Sequence, residues 1–212
     1  MAIRVNQSEI PGTVLEAKRW WRREIKSRLA GLNDVYRHDA AEAMRIRLIH
    51  SEAYRKAETI LFYVSTDKEV MTSEMLVTAL RHGKRVCLPK CVDLDESGRR
   101  TCDDPVMEAR MFGKGNKLEI GAYGIVEPCD DAPLVRPEEI DLVVLPCVSC
   151  DITGARLGHG GGYYDRFLED VREDCSKIAL CYEEIMTEKL PTEPHDIKMD
   201  AVITEENLYE KQ

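Results

Sequence analysis

Residues 154–168 read GARLGHGGGYYDRFL and follow a short apolar run, DLVVLP at 141–146. Five glycines fall within nine residues, with an arginine among them and an aspartate after them. The apolar run predicts a buried strand, and residues 163–171 predict a helix. A glycine-rich turn between a strand and a helix can bring bare backbone N–H groups up to a phosphate, helped by the positive end of the helix dipole. We therefore expect an anionic ligand at this turn.

Strands and helices alternate along the rest of the chain. This order predicts a single domain, residues 1–212, with a three-layer α/β/α fold and a mostly parallel sheet. Such sheets bind ligands at the carboxyl ends of their strands, and residues 146–162 occupy one of these ends. Periodicity and capping residues predict helices at 13–31, 34–50 and 72–82, strands at 59–64, 84–88, 141–145, 177–182 and 200–203, a loop at 93–104, and short strands within 105–128 around a turn at Gly121–Gly124.

Composition limits the kind of partner. The chain has 212 residues and a formal net charge of −9, which argues against broad nucleic-acid binding. Its apolar runs are shorter than the ~18 residues of a membrane span, and residues 1–11 lack the apolar core of a secretory signal. We therefore expect a cytoplasmic monomer that acts on a small molecule and binds neither nucleic acid nor membrane.

Charged residues outside the glycine turn offer further contacts. Lys18 and Arg22 lie four residues apart, hence on one helix face, where they could contact a polyphosphate or simply be solvated. Asp165 and Asp196 could be ordinary surface carboxylates, or they could hold magnesium, which takes only one or two carboxylates beside phosphates and water. Glu69 follows a strand and is either a substrate contact or a solvated loop acid. The glycine cluster itself could be a tight structural turn.

Cysteines are numerous, eight in all, and two of them form the pair Cys147-x-x-Cys150. A cytoplasmic chain keeps its thiols reduced. A zinc site needs about two further ligands, and no second pair has a suitable spacing. A redox pair normally leads directly into a helix, whereas a glycine loop follows here. We therefore expect these two thiols to be buried or to line a pocket wall.

Taken together, these segments resemble the 5-formyltetrahydrofolate cyclo-ligase family, over about residues 18–205. The most specific likeness is the segment from Gly154 to Asp165. The supporting segments, in the order in which the family has them, are Lys18-x-x-x-Arg22, Ser65-x-x-x-Glu69-Val70, Gly83-Lys84-x-Val86-x-Leu88-Pro89, Gly124-Ile125-x-Glu127-Pro128, Asp141-Leu-Val-x-x-Pro146 and His195-Asp196-x-x-x-Asp200.

The resemblance implies a layered fold shared with sugar-phosphate isomerases, and an enzyme that uses ATP and Mg²⁺ to cyclise 5-formyltetrahydrofolate to 5,10-methenyltetrahydrofolate, releasing ADP and phosphate. By position it implies catalytic roles for Lys18 and Arg156 and a magnesium link for Asp165 and Asp196. The implied ATP contacts are Lys18, Arg22, Arg156, Leu157, Gly158, His159, Gly160, Gly161, Gly162, Tyr163 and Tyr164. The implied folate contacts are Val64, Glu69, His159, Gly160, Gly161, Gly162 and Tyr163.

Two other functions are compatible with the residues. One is a non-catalytic folate- or nucleotide-binding relative. In this interpretation Cys150 and Ile185, which depart from the residues usual in the family, mark the loss of catalytic activity. A dead enzyme need not retain phosphate contacts, so the cations of the first helix and the glycine turn argue against it. The other is a sugar-phosphate isomerase of similar layered fold. Such an enzyme needs no ATP and leaves the pair of Lys18 and Arg22 unexplained.

Overall fold

The structure is a computed structural model that describes residues 3, 5, 10–92, 106–121 and 124–211. The loop predicted at 93–104 lies outside the described residues. The α-helices are α1 (Val14–Leu29), α2 (Asp34–His50), α3 (Glu52–Lys56), α4 (Ser73–Arg81) and α5 (Tyr163–Phe167), and single 3-10 turns cover Pro137–Glu139 and Glu183–Ile185.

Within the described residues, twelve strands form one large sheet and two small hairpins. The large sheet has the order β12-β11-β10-β7-β1-β2-β3-β6, in which the five strands from β11 to β2 run parallel and the outer three run antiparallel to their neighbours. The expected α/β fold with a mostly parallel sheet is thus confirmed. The strands are β1 (Thr59–Leu61), β2 (Arg85–Cys91), β3 (Met107–Phe112), β4 (Leu118–Ile120), β5 (Val126–Pro128), β6 (Leu134–Val135), β7 (Leu142–Leu145), β8 (Ser149–Cys150), β9 (Arg156–Leu157), β10 (Ser176–Leu180), β11 (Ala201–Ile203) and β12 (Leu208–Glu210).

Helix α1 follows the predicted periodicity. Its buried stripe contains Ala17, Trp21 and Ile25, which recur every four residues and face the core. Thr13 caps its start, because the Thr13 side chain accepts a hydrogen bond from the backbone N–H of Glu16. This stripe fixes the rotation of the helix about its axis.

Helix α4 begins where the sequence predicts, but its cap differs. Thr72 occupies the N-cap position without capping the helix through its side chain. The Thr72 hydroxyl donates instead to the carbonyl of Tyr63, at 2.8 Å. Gly83 ends the helix with a positive φ of 75°, a conformation that glycine adopts without steric cost.

The region around the glycine turn departs from the prediction in two ways. The hairpin of β8 and β9 lies between β7 and the glycines, so the turn does not follow the buried strand directly. Helix α5 ends at Phe167, four residues before the predicted end at Val171. After Phe167 the backbone bonds tighten to i→i+3, as from Glu169 N–H to the carbonyl of Arg166, which cannot extend an α-helix. A five-residue helix carries only a small dipole, so the anion site predicted at this turn would depend mainly on side chains and loop N–H groups.

Short elements account for the remaining differences. Strand β1 ends at Leu61 and not at Val64, and β2 runs past Pro89 to Cys91. The predicted turn at Gly121–Gly124 joins β4 to β5, where Gly121 N–H donates to the carbonyl of Ile125 at 2.8 Å. Across the described ranges, no helix combines the length and the hydropathy needed to cross a membrane.

Candidate active site

The glycine loop packs closely against two arginines. A Cβ atom at Gly158 would lie 3.0 Å from Nη1 of Arg156, and one at Gly160 would lie 3.3 Å from the guanidinium carbon of Arg22. Gly160 also has a φ of 99°, which disfavours any side chain. Arg22 in turn donates from Nε to the carbonyl of Gly158, at 2.8 Å. The glycines therefore do more than make a turn, because they let two cations approach the loop backbone.

Arg156 is the most enclosed cation of the site, with a side chain that is 4% exposed. Its Nη2 donates to Asp165 at 3.0 Å and its Nη1 to the carbonyl of Pro146 at 3.2 Å. Its guanidinium carbon lies 5.7 Å from the centre of the Tyr164 ring. Its Nε is buried and has no hydrogen-bond partner among the described residues. A buried guanidinium with a spare donor is suited to a further acceptor.

Lys18 is held by carboxylates. It is 8% exposed on the buried side of α1, next to Ala17. Its Nζ lies 2.6 Å from Oδ2 of Asp196, 2.8 Å from its Oδ1, and 2.8 Å from Oε2 of Glu193. Burial opposes the charge on Lys18, but the hydrogen bonds to Asp196 and Glu193 outweigh it and raise its pKa. The lysine is therefore charged and saturated with acceptors.

The two aspartates that are predicted to hold magnesium lie near one cleft, but each pairs with a different cation. The cleft has a volume of about 410 Å³ and is lined by Gly160, Gly161, Gly162, Asp165, Arg166, Glu169 and His195. Asp165 lies in this wall and pairs with Arg156. Asp196 pairs with Lys18, and its Oδ1 lies 4.0 Å from Nε2 of the cleft residue His195. Burial lowers the pKa of Arg22, and the negative charges of Asp196 and Asp165 oppose this effect.

Potential metal ligands cluster around only one of these aspartates. Glu193, His195 and Asp196 present ligand atoms within 4.8 Å of one another. Asp165 belongs to no such group of three within the part of the chain described. Magnesium takes one or two carboxylates and completes its shell with phosphate and water, so the oxygen donors of Asp196 and Glu193 fit it.

A second polar contact lies beyond the glycine loop. Glu69 is buried and its Oε1 lies 3.2 Å from Nε2 of the exposed His159. Its other oxygen accepts from the backbone N–H and the hydroxyl of Thr66, at 2.8 and 2.9 Å. Burial favours the neutral acid, but the hydrogen bonds to His159 and Thr66 outweigh it and lower the pKa of Glu69. Glu69 is thus a fixed, charged acceptor, and not the solvated loop acid considered above.

The remaining predicted contacts differ in access. Val64 and Tyr163 are half-buried and pack against the core. Leu157 is 2% exposed, and its carbonyl accepts from the N–H of Val148 at 2.7 Å. Its side chain therefore supports the loop from inside, and a ligand could meet only its backbone.

The paired thiols are buried, as expected, and they have a third neighbour. Cys147, Cys150 and Cys181 place their sulfur atoms within 4.8 Å of one another. Hydrogen bonds from the two other thiols lower the pKa of Cys147, whereas burial raises that of Cys150. Ile185, like Cys150, lies in the core, so both residues are packing positions that give no support to the non-catalytic alternative.

Sequence reasoning missed two residues that shape the site. Glu193 shares Lys18 with Asp196, and only its proximity to His195 and Asp196 in the sequence could have suggested this.

Asp151 is buried and organises the turn before Arg156. Its Oδ1 accepts from the N–H groups of Thr153 and Ala155, and its Oδ2 from that of Leu190. An aspartate two residues before a Thr-Gly pair is a recognisable Asx turn.

The sheet and its cleft define a layered α/β protein with a cation-lined site at the carboxyl ends of parallel strands. The sequence matches the model of the 5-formyltetrahydrofolate cyclo-ligase family over residues 14–205. The chain therefore belongs to this family.

Individual relatives extend over nearly the whole chain. The 5-formyltetrahydrofolate cyclo-ligase of Saccharomyces cerevisiae is 30% identical over 89% of this chain and 95% of its own length. That of Escherichia coli K12 is 29% identical over 88% of this chain and 99% of its own. The solved 5,10-methenyltetrahydrofolate synthetase of Aquifex aeolicus is 27% identical, with a TM-score of 0.76 over 91% of this chain and 92% of its own.

Proposed function

We propose that the chain is a 5-formyltetrahydrofolate cyclo-ligase, which converts 5-formyltetrahydrofolate and Mg-ATP to 5,10-methenyltetrahydrofolate, ADP and phosphate. One observation carries this proposal beyond family membership. Arg156 lies against Gly158 and Arg22 against Gly160, and Lys18 lies one helical turn from Arg22. A site of this kind neutralises phosphate charge and positions it, which is most of what phosphoryl transfer requires.

The chemistry needs no nucleophilic side chain. The N5-formyl group is an amide and a poor electrophile. Transfer of the γ-phosphoryl group to its oxygen gives an iminium phosphate with a good leaving group. N10 of the folate then attacks the formyl carbon and gives up its proton to the leaving phosphate or to solvent, the C–O bond breaks, and the oxygen leaves as part of inorganic phosphate. The protein must therefore hold the γ-phosphate beside the formyl oxygen.

We assign the cations to the phosphate end. The unpartnered Nε of Arg156 and its fixed guanidinium plane suit a phosphate oxygen. Arg22 lies against Gly160 and can reach an anion on the loop, together with N–H groups of the segment from Gly158 to Tyr164. Lys18 joins them by exchanging a carboxylate for phosphate, because all its present acceptors are Glu193 and Asp196.

We assign magnesium to the same end, where it would neutralise phosphate charge during transfer. Asp196 is its main protein ligand in this proposal, with Asp165, which lines the cleft, acting directly or through water. When Lys18 turns to the phosphates, the oxygens of Asp196 and Glu193 become available to the cation. The exchange conserves charge pairing, so no carboxylate is left without a cation.

We assign the pterin to the side of Val64 and Glu69. Glu69 is charged and held by Thr66, so it can accept hydrogen bonds from ring N–H groups of the folate. His159 covers Glu69 and is 56% exposed, so it can move aside or stack on the ligand. The loop from Gly160 to Tyr163 then separates the folate from the nucleotide and contacts both.

A direct assay tests the proposal. The absorbance of methenyltetrahydrofolate is followed after 5-formyltetrahydrofolate is added with and without Mg-ATP. We expect product only with Mg-ATP, and ADP in equal amount. Turnover without ATP, or ATP hydrolysis that does not depend on the folate, would contradict it.

We further propose that residues 1–212 act as one domain, as a monomer in the cytoplasm.

A further inference from the structure

Three buried thiols form a compact group that the proposed reaction does not use. Cys147, Cys150 and Cys181 are 6%, 0% and 1% exposed. Their sulfur atoms lie within 4.8 Å of one another. Cys87 and Cys175 are also buried, yet neither belongs to a group of three potential ligands within the described ranges. Clustering, and not burial alone, therefore sets the three thiols apart.

The topology of the sheet assembles this group. Strands β7 and β10 are parallel neighbours with Leu145 opposite Ala179, so Cys147 and Cys181 each lie two residues beyond a paired position at the same edge. The thiol of Cys147 donates to the carbonyl of Leu180 at 3.2 Å. Cys150 joins them from β8. The three sulfurs thus come from the residues just after β7, from β8 and from the residue just after β10. Spacing in the sequence shows only the pair of Cys147 and Cys150, because Cys181 joins it through the pairing of β7 with β10.

The spacing of the sulfur atoms suits a single metal ion. A metal–thiolate bond of about 2.3 Å implies sulfur–sulfur distances of about 4 Å in a three-coordinate site. The limit of 4.8 Å on the separations of the three sulfur atoms is compatible with this distance. All-sulfur sites select soft ions such as Cu(I) and Zn(II), both d10 ions whose geometry is not fixed by d-electrons. Three thiolates can complete the shell of Cu(I), whereas Zn(II) takes a fourth ligand such as water.

We propose that Cys147, Cys150 and Cys181 form a binding site for one thiophilic d10 metal ion. On binding, three S–H bonds are replaced by three S–metal bonds, and three protons pass to solvent. No oxidant or reductant takes part. The sulfurs of a divalent complex carry one net negative charge, and Arg156, which pairs in register with Cys150 across the β8–β9 hairpin, provides a nearby positive charge.

The test uses the full-length, reduced protein under anaerobic conditions. It is titrated with Zn(II) and, separately, with Cu(I), and three readouts are taken: stoichiometry, sulfur-to-metal charge-transfer absorption, and released protons. We expect one ion per chain for at least one of the two metals, with charge-transfer absorption and up to three protons released.

Variants separate this site from other sites. Cys147→Ser and Cys181→Ala should each weaken binding at least tenfold and abolish the absorption, whereas Cys175→Ser, a buried thiol outside the group, should change neither. Because Glu193, His195 and Asp196 could also bind Zn(II), the titration is repeated in His195→Ala, where the sulfur absorption should persist. Circular dichroism confirms that each variant is folded.

Three outcomes would overturn the proposal. The first is a folded wild type that shows no sulfur-to-metal absorption with either ion. The second is binding that persists unchanged in both cysteine variants. The third is loss of two thiols on exposure to peroxide without any metal uptake, which would make the group a disulfide pair with a bystander.

Discussion

Arg156 and Lys18 are both buried cations of the candidate site, but they are held in opposite ways. Arg156 has one carboxylate partner, Asp165, and keeps a buried Nε without an acceptor. Lys18 has two carboxylate partners, whose three nearby oxygens occupy its N–H donors. In the proposed phosphate site, Arg156 offers a donor without releasing a present partner, whereas Lys18 has to give up a carboxylate to contact the anion. The difference separates a preorganised contact from an exchangeable one.

The sharpest test of this comparison is Arg156→Ala, which should cost the most. It removes a preorganised charge-assisted contact, worth about 1.5–3 kcal/mol, so we expect about a tenfold loss of kcat/KM for ATP or more. Arg156→Lys should recover only part of it, because lysine lacks the planar fork that spans Asp165 and phosphate. Arg23→Ala, on the exposed face of α1, is the control. Unchanged ATP kinetics in Arg156→Ala would remove the arginine from the phosphate site.

Lys18→Ala should cost less in ATP use but more in stability. Its contact with phosphate is offset by the carboxylate contacts it must release, so we expect a loss of about tenfold or somewhat less in kcat/KM for ATP. Without the lysine, Asp196 and Glu193 are left as partly buried carboxylates without a cation, which should lower the free energy of unfolding by about 1–3 kcal/mol.

A double variant separates these two effects of Lys18. Lys18→Met combined with Asp196→Asn removes both charges, so stability should return while ATP use, measured at high magnesium to offset the loss of Asp196, stays impaired. Chemical denaturation and steady-state kinetics measure the two quantities on the same preparations. Recovery of ATP use together with stability would show that Lys18 acts on folding alone.

The magnesium midpoint of activity should differ between variants of Asp196 and Asp165. We expect this effect to be smaller than those of the Arg156 and Lys18 variants. Asp196→Asn and Asp165→Asn keep the size of each side chain and remove its charge, so each should raise the magnesium midpoint of activity. We expect the larger, several-fold shift for Asp196, which has Glu193 and His195 as neighbouring donors. High magnesium should restore activity by mass action, which it could not do for a lost proton carrier. Equal midpoints with only a reduced maximal rate would reject the metal role.

The smallest effect is the contribution of Glu69 to stability. Its folded-state pKa lies below the ordinary value, so the charged form stabilises the fold above the unfolded pKa and this stabilisation is lost as the pH falls through the folded pKa. The stability difference between wild type and Glu69→Gln should therefore shrink below about pH 4.5. His159→Ala should reduce the same difference at neutral pH. Denaturant unfolding at several pH values measures it, and a difference that does not change with pH would contradict the assignment.

How far the sequence predicts the site depends on how local each part is. The glycine loop, Arg156 and Asp165 fall within twelve consecutive residues, so their spacing already describes a unit. The face shared by Lys18 and Arg22 follows from helical periodicity. By contrast, the ion pair of Lys18 with Asp196 joins positions 178 residues apart, and no local pattern encodes it.

The same distinction holds for the fold. Long elements with clear periodicity, such as α1 and α2, lie close to their predicted bounds. Strands β8 and β9 have two residues each, which is too few for a periodic signal. They are defined by their pairing across the turn that Asp151 orders. The third thiol, Cys181, joins Cys147 only through the register of β7 and β10. Contacts set by sheet register lie beyond what spacing in the sequence can show.

The most direct test of the proposed chemistry follows the formyl oxygen. The protein is supplied with Mg-ATP and 5-formyltetrahydrofolate labelled with 18O in the formyl group, and the inorganic phosphate and water are analysed after conversion. If Lys18, Arg22 and Arg156 direct the γ-phosphoryl group to that oxygen, the label appears in phosphate, one atom for each methenyltetrahydrofolate formed. Label in water, with unlabelled phosphate, would show that ATP is hydrolysed apart from the folate and would contradict the account.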